Sequence, residues 1–461
     1  VNQTIRELSR GIRKRQVSPA ELTHDCLNRI EKFNPKLNAF ITVLAEQALE
    51  DARKAEQEVF RGKYRGPLHG IPLGLKDIID TAGTLTTAAS ALFRDRIPNK
   101  DAELVRRLRC GGAIILGKQN LHEFAYGGSS VISCFGEVRN PRDTTRIAGG
   151  SSGGSAASVA AGMGYAAIGT DTAGSVRLPA AYCGVVGIKP TYGRISTRGV
   201  IPLAESYDHV GSLTNTVCDG ALVLQVLAGY DPCDPNTANV PVADYTYALD
   251  GPLPALRIGI PRAFFFEGLD AEIAAAVEKA IQVIREMGCE IRDEFPLDVP
   301  TDRTLSSAES WEYHRESVAS SPELYQPTTL GRIRSGEKTT QADIERAKQA
   351  LAASRESTKT IFEEVDLLLT PTVPLPPPSV AELKANPDRL RPTELLMLRN
   401  TRPFNVWGIP AISVPCGFTS DGLPIGLQLA GAPWNPDAVL HLAHKYEQAT
   451  EWHKRNQTIV E

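Results

Sequence analysis

At 461 residues the chain is longer than a single hydrophobic core usually grows, so length alone permits one large α/β unit or two or three domains. Its 42% apolar and 23% charged residues lie in the ordinary globular range and exclude a disordered chain. A net charge of −4, with no dense Lys/Arg run, excludes a surface that tracks phosphates, so nucleic acid is not expected as a direct ligand.

The most basic stretch, Arg13-Lys14-Arg15, reads as a solvated helix face. Eight cysteines are scattered without a C-x-x-C pair or zinc-ligand spacing, which fits a reduced cytoplasm and gives no metal site. Residues 1–15 contain no apolar run of the signal-peptide kind, and no window approaches the ~20 apolar residues of a membrane span. A cytoplasmic protein away from membranes is expected.

In chain order, Ser18-Pro19-Ala20-Glu21 predicts a helix start with a capping box and Pro at the first helical position, followed by Leu22, Cys26, Leu27 and Ile30 on one face. A second helix is predicted over 43–60. The run from Ile71 to Ile79 is short, apolar and bounded by Gly and Asp, as a buried strand would be, yet it contains Lys76. Residues 104–108 read as helix and 113–117 as a buried strand, the βαβ rhythm of a mixed or parallel sheet covered by helices.

The same rhythm returns later. Residues 256–260 read as a strand, Asp270 caps a helix carrying Ile273, Val277, Ala280, Ile281 and Ile284, Gly288 ends it, and Cys289 begins another strand. Residues 365–370 form a further strand candidate, and the proline-rich 371–378 must be extended loop. Two strands over 411–418 and 423–430 are joined by the hairpin signal Thr419-Ser420-Asp421-Gly422, and 436–446 closes as a helix.

Most of the chemistry is concentrated in Ala148-Gly149-Gly150-Ser151-Ser152-Gly153-Gly154-Ser155, which runs into an Ala-rich helix and then a strand over 165–170. A flexible linker does not continue in that way. Glycines at a helix start allow close backbone approach, and the free amides there favour developing negative charge. A P-loop fails, because Gly154 is followed by Ser155-Ala156 and not by Lys-Ser or Lys-Thr. The formal G-x-S-x-G of Gly149 to Gly153 lacks the buried strand that leads into a nucleophile elbow, since 142–146 is polar.

A second serine lies downstream in Gly169-Thr170-Asp171-Thr172-Ala173-Gly174-Ser175-Val176-Arg177, where a strand ends in small residues. Together with the lone Lys76, these segments resemble the amidase signature family, whose catalytic unit is a serine, a second serine preceded by a cis peptide, and a lysine. The spacings agree, with 175 − 151 = 24 residues between the serines and 151 − 76 = 75 from the lysine. Similar segments occur in family order at 70–77, 117–124, 149–199, 207–211 and 408–417. Ala173 stands where many relatives have Gly.

The resemblance implies an α/β/α sandwich, a large mixed sheet with helices on both faces, in one domain over 1–461. Residues 1–65 would form a helical cover, and roughly 230–400 a helical and proline-rich insertion around the pocket. It implies Ser175 as nucleophile, Ser151 as proton relay after a cis peptide at Gly150-Ser151, and Lys76 as the base. Lysine serves only when neutral, so its pKa must fall by several units, and Leu73, Leu75, Ile78 and Ile79 supply apolar surroundings.

The amides of Thr172, Ala173, Gly174 and Ser175 would form the oxyanion hole. Ser152 would hold Lys76 by a hydrogen bond, and Asp171 and Arg177 would brace the loop. His209 reads as structural and not as part of a Ser-His-Asp triad. No metal or organic cofactor is implied.

By the same analogy Tyr126, Gly127, Gly128, the 371–378 loop, Phe404 and Trp407 would line a pocket for a small apolar or aryl-bearing amide. An aryl carbamate (urethane) is the alternative substrate. Another alternative is the glutaminase component, GatA-type, of a glutamine-dependent tRNA amidotransferase, which works with partner proteins. In such components an acidic residue precedes the Pro-x-Asn-x-x-Gly-x-Pro segment, whereas Leu398-Arg399-Asn400-Thr401-Arg402 precedes Pro403 here. A homodimer is expected only because similar proteins commonly form one.

Overall fold

The computed structural model describes residues 3–247 and 249–455. Its centre is an 11-stranded sheet. In chain order the strands are β1 (Phe40–Val43), β2 (Pro72–Lys76), β3 (Ile114–Gln119), β4 (Ala166–Thr170), β5 (Val186–Lys189), β6 (Val210–Thr214), β7 (Arg257–Gly259), β8 (Glu290–Arg292), β9 (Leu367–Pro371), β10 (Ala411–Phe418) and β11 (Pro424–Gly431). Across the sheet they run β1-β3-β2-β4-β6-β5-β10-β11-β9-β7-β8.

The sheet is mixed, as expected. Strand β2 lies parallel to both β3 and β4, with Lys76 opposite Gln119 and Leu75 opposite Ile168. Strand β4 is antiparallel to β6, and β10 to β11. Every residue of β2, β3 and β4 is buried, which explains their continuous apolar runs: a strand covered on both faces has no side to spare for polar alternation.

Helices cover both faces of the sheet. Gly153–Ala160 packs on β2 and β4, and Arg177–Cys183 on β5, β10 and β11; Val217–Leu227 and Asp437–Thr450 form a separate pair against β6 and β10. The N-terminal helices follow their sequence signals closely. Ser18 caps Pro19–Leu37 by accepting from the Glu21 amide at 3.2 Å, although the reciprocal half of a capping box is not formed. Asp270 accepts from the amides of Glu272 and Ile273 at the head of Ala271–Glu286, whose five expected core residues are all buried.

Three strands escape the sequence reading. Residues 40–43 form β1 ahead of the helix Ala45–Phe60, and Val186–Lys189 and Val210–Thr214 form β5 and β6 beside the sheet centre. These runs are too short and too rich in Gly, Ser and Thr to declare themselves. Residues 230–400 are more than a helical and proline-rich insertion, because they contribute β7, β8 and β9 to the same sheet. Strand β9 reaches it by pairing antiparallel to β11, with Leu369 opposite Leu429.

The proline-rich 371–378 loop is a brace and not a pocket wall. Its carbonyls at Pro377 and Pro378 accept from Arg146 and from the Ile147 amide, which holds down the strand of chain entering Gly149-Gly150-Ser151. All eight cysteines are free. No helix among the described residues is long and apolar enough to cross a membrane.

Candidate active site

Lys76 is the last residue of β2, with no exposed surface. Parallel pairing of β2 with β4 puts the C-terminal ends of the two strands side by side, and the loops that follow them converge on the lysine. Its Nζ lies 2.7 Å from Ser151 Oγ and 2.8 Å from Thr170 Oγ1. Burial pushes its pKa down to about 7, against the pull of Asp208 and Asp171, which favour the charged form. A neutral amine at position 76 is therefore well populated near neutral pH.

Ser151 follows a cis peptide bond, Gly150–Ser151, and precedes the helix Gly153–Ala160. The helix can begin here because Gly154 lies against chain on two sides: a Cβ at this position would come within 2.4 Å of the carbonyl oxygens of Ala39 and Asn120. Backbone contacts then fix the serine segment. The His122 amide donates to the Ser151 carbonyl at 3.1 Å, and the Ser152 amide to the Ser175 carbonyl at 3.2 Å, which ties the two serine segments together.

Ser152 does not hold the lysine. Its hydroxyl donates to the Thr170 carbonyl at 3.1 Å and accepts from the Thr170 amide at 3.3 Å, so it clamps the end of β4 while Thr170 itself supplies the second hydroxyl to Lys76. Thr170 was not foreseen because strand partnership brings it to Lys76, and nothing within its own segment marks it.

Ser175 is 4% exposed and, alone among Lys76, Ser151 and Ser175, lines a cavity of about 60 Å³. Its loop is shaped by Asp171, whose carboxylate accepts from the amides of Gly174, Val176 and Arg177 and pairs with the Arg177 guanidinium. Burial alone would push this carboxyl up, but Arg177 and its other partners hold it well below the usual carboxylate range.

Gly174 therefore leaves the expected oxyanion hole, since its amide is spent on Asp171 at 2.8 Å. Among the described residues no partner is found for the amides of Thr172, Ala173 and Ser175, which remain available beside the cavity. Asn405 and Gln428 complete the brace. Asn405 donates to the Asp171 carbonyl and carboxylate, and both residues accept from Arg177.

Thr172 donates to Asp208 at 2.5 Å, and burial raises the Asp208 carboxyl to about 6. His209 Nδ1 is 2.6 Å from the Tyr207 carbonyl, and its backbone pairs with that of Asp171. Burial pushes the imidazole pKa well below its ordinary value, and the side chain stands in the framework behind the loop.

The cavity is lined by Tyr126 and Gly127, as expected, but not by Gly128, which lies against Leu398. Phe404 and Trp407 are not pocket residues. The short helix Pro403–Val406 turns both into a buried cluster with Phe265, Phe295, Val365 and Leu368, while Arg402 faces the cavity. Two further arginines, Arg303 and Arg391, line it together with Tyr207 and Leu398. None of these was singled out in the sequence, where arginines 88 and 11 residues apart (391 − 303 and 402 − 391) form no pattern.

A mixed sheet whose strand ends carry a buried lysine and two serines beside one cavity is the architecture of an α/β enzyme that serves its serines with lysine and not with histidine. A family model described as Amidase matches residues 21–440, and the chain belongs to that family, the amidase signature enzymes, hydrolases acting on C–N bonds. It is 40% identical to the GatA-type component of the glutamyl-tRNA(Gln) amidotransferase of Geotalea daltonii over 99% of each chain. In structure it is similar to the 6-aminohexanoate cyclic dimer hydrolase in complex with substrate, with a TM-score of 0.90, 29% identity and coverage of 99% and 100% of the two chains. A vestigial protein complex described as revealing the origins of an s-triazine catabolic enzyme gives a TM-score of 0.88 at 32% identity, covering 97% and 98%.

Proposed function

We propose that the chain hydrolyses the C–N bond of a small amide through an acyl-enzyme on Ser175, with Ser151 as proton relay and Lys76 as base. The observation that carries this reading is the 2.7 Å approach of Lys76 Nζ to Ser151 Oγ, by an amine that burial has brought down to about 7. A serine hydroxyl needs a base as it attacks, and an ordinary lysine, protonated at neutral pH, could not be one.

Ser175 Oγ attacks the amide carbonyl and passes its proton to Ser151, whose own proton moves to Lys76. The amides of Thr172, Ala173 and Ser175 receive the oxyanion; a single such donor is typically worth about 2.7 to 4 kcal/mol. The proton returns through Ser151 to the leaving nitrogen, the C–N bond breaks, and water releases the acyl group. The same steps act on a carbamate. A cavity of about 60 Å³, room for a handful of waters, gives an aryl group no particular support.

A second reading, the GatA-type component of a glutamine-dependent tRNA amidotransferase, is favoured by the sequence relatives more directly than a free-standing amidase is. Against it stands the cavity wall, where Leu398 and three arginines, with no carboxylate among the described residues, would face the ammonium group of glutamine. On that reading the chain acts with partner proteins, and on the first it acts without them. Eight free cysteines support a reducing compartment such as the cytoplasm for either.

The test is labelling by a fluorophosphonate together with hydrolysis of aliphatic amides, anilides, aryl carbamates and glutamine by the purified chain. Wild type is expected to label and to turn over a small amide, and Ser175→Ala to do neither. Labelling that survives Ser175→Ala overturns the assignment. Glutaminase activity that emerges only with added partner proteins establishes the second reading.

A further inference from the structure

We infer that the substrate of this site carries a carboxylate, recognised by Arg303, Arg391 and Arg402; the inference rests on the same cavity as the proposed hydrolysis and names its substrate class. The three guanidinium-bearing residues come from separate elements: Arg303 immediately precedes the helix Thr304–Ser320, Arg391 lies within Pro387–Met397, and Arg402 immediately precedes Pro403–Val406. All three line the cavity that Ser175 lines, and no Asp or Glu does so among the described residues.

Convergence of three like charges in a half-buried wall is unfavourable unless something negative joins them. Burial, reinforced by the neighbouring Arg402 and Arg391, pushes the Arg303 pKa down to about 9. Burial also lowers Arg391 and Arg402. Elsewhere in the protein guanidiniums in such settings have carboxylate partners, as Arg177 has Asp171 and Arg332 has Glu394, each within 2.8 Å.

Here the partners are weaker. Arg402 donates to the carbonyls of Pro300 and Asp302, and Arg391 stands 5.6 Å from the Tyr126 ring centre. Glu394, the one carboxylate that draws on Arg391, is already engaged by Arg332 at 2.6 Å and by the Ser129 hydroxyl at 2.6 Å. That buried pairing also fixes the helix that presents Arg391. Among the described residues Arg303 and Arg391 have no ion-pair partner.

The forked donors of arginine match the two oxygens of a carboxylate, which a single lysine charge would not select so well. Ser306 and Ser307, in the first turn of the helix that follows Arg303, also line the wall and add donors at the positive end of a helix dipole. A small cavity beside Ser175 then suits a short dicarboxylic monoamide better than an aryl amide.

Two measurements test this. The first is equilibrium binding of succinamate and of butyramide, its neutral counterpart, to the full-length Ser175→Ala chain. Succinamate is expected to bind at least tenfold more tightly, and Arg303→Met and Arg391→Met, made separately, are each expected to remove most of that difference. Equal affinity for the two amides overturns the inference, as does a preference for succinamate that both arginine variants retain. The comparison of the two amides needs no arginine variant to fold, and binding is read whether or not Ser175 is the nucleophile.

The second measurement is the ratio of kcat/KM for succinamate and glutaramate to that for butyramide in the wild type. A ratio well above ten is expected. A ratio near one with measurable turnover discards the carboxylate and leaves the hydrolase reading intact. Absence of turnover and of fluorophosphonate labelling, with succinamate binding preserved, discards the hydrolase and keeps the carboxylate site.

Discussion

Arg177 and Asp171 form an ion pair at 2.8 Å with neither side chain exposed to solvent. The same carboxylate takes the amides of Gly174, Val176 and Arg177, so one buried pair sets the course of the loop that presents Ser175. Pairing in the interior is costly to assemble, and removing one partner leaves an uncompensated charge.

Arg177→Met is accordingly expected to lower stability by about 3 to 5 kcal/mol, measured by urea unfolding, and to reduce acylation of Ser175. The loss falls on an element that touches no substrate. A variant as stable as wild type would show that the backbone amides alone are enough to hold Asp171.

The pH profile follows from Lys76. Only the neutral amine accepts a proton, and with a pKa of about 7 the rate of acylation is expected to rise with pH through about 7 and then level off. Asp208 favours the charged lysine, so Asp208→Asn should move this limb to lower pH. Single-turnover acylation from pH 5 to 9 reads both; a limb near the ordinary lysine value of 10.5 would exclude Lys76 as the base.

The same shift predicts a stability effect of opposite character. Lys76 titrates at about 7 in the fold and near 10.5 outside it, so its burial costs roughly 5 kcal/mol below pH 7. Between about pH 7 and 10.5 the unfolded chain binds the extra proton, and stability rises with pH. Lys76→Met removes that cost but leaves the Ser151 and Thr170 hydroxyls without their partner. At pH 6 its melting temperature is expected to equal or exceed that of wild type while labelling of Ser175 is lost. A markedly lower melting temperature would make Lys76 a structural residue first.

Gly174 offers a steric test. Its φ of +128° is one that other residues rarely adopt, and a Cβ there would lie 1.9 Å from Thr401 Oγ1. Thr401 meanwhile donates to the Ala173 carbonyl at 2.7 Å, holding the amides beside the cavity in place. Gly174→Ala is expected to cut kcat/KM by at least about a hundredfold, the scale of losing one oxyanion donor, with a smaller effect on KM. Unchanged kcat would mean that the oxyanion is held elsewhere.

Much of the framework was legible because its signals are local. The buried runs of β2, β3, β4 and β9, the Ser18 and Asp270 caps, and the β10–β11 hairpin each declare themselves within a few residues. Ser151 at a glycine-rich helix start and a lysine inside an apolar strand stood out for the same reason. The short strands β5 and β6 did not, since Gly, Ser and Thr suit a sheet centre only when neighbours on both sides leave no room for more.

The aromatic pocket expected from Phe404 and Trp407 failed on a question of direction. A four-residue helix gives no periodicity long enough to say which face turns inward, and both rings went to the core while Arg402 went to the cavity.

The sequence by itself determined the family, the mixed sheet and the reactive groups at positions 76, 151 and 175, because strand runs, caps and glycine-rich turns are written in adjacent residues. Only the tertiary structure decided that Thr170 and not Ser152 meets Lys76, that Gly174 spends its amide on Asp171, and that three arginines share one cavity. Those relations join side chains far apart in the chain, where closure of the fold sets the distance and no local pattern records it.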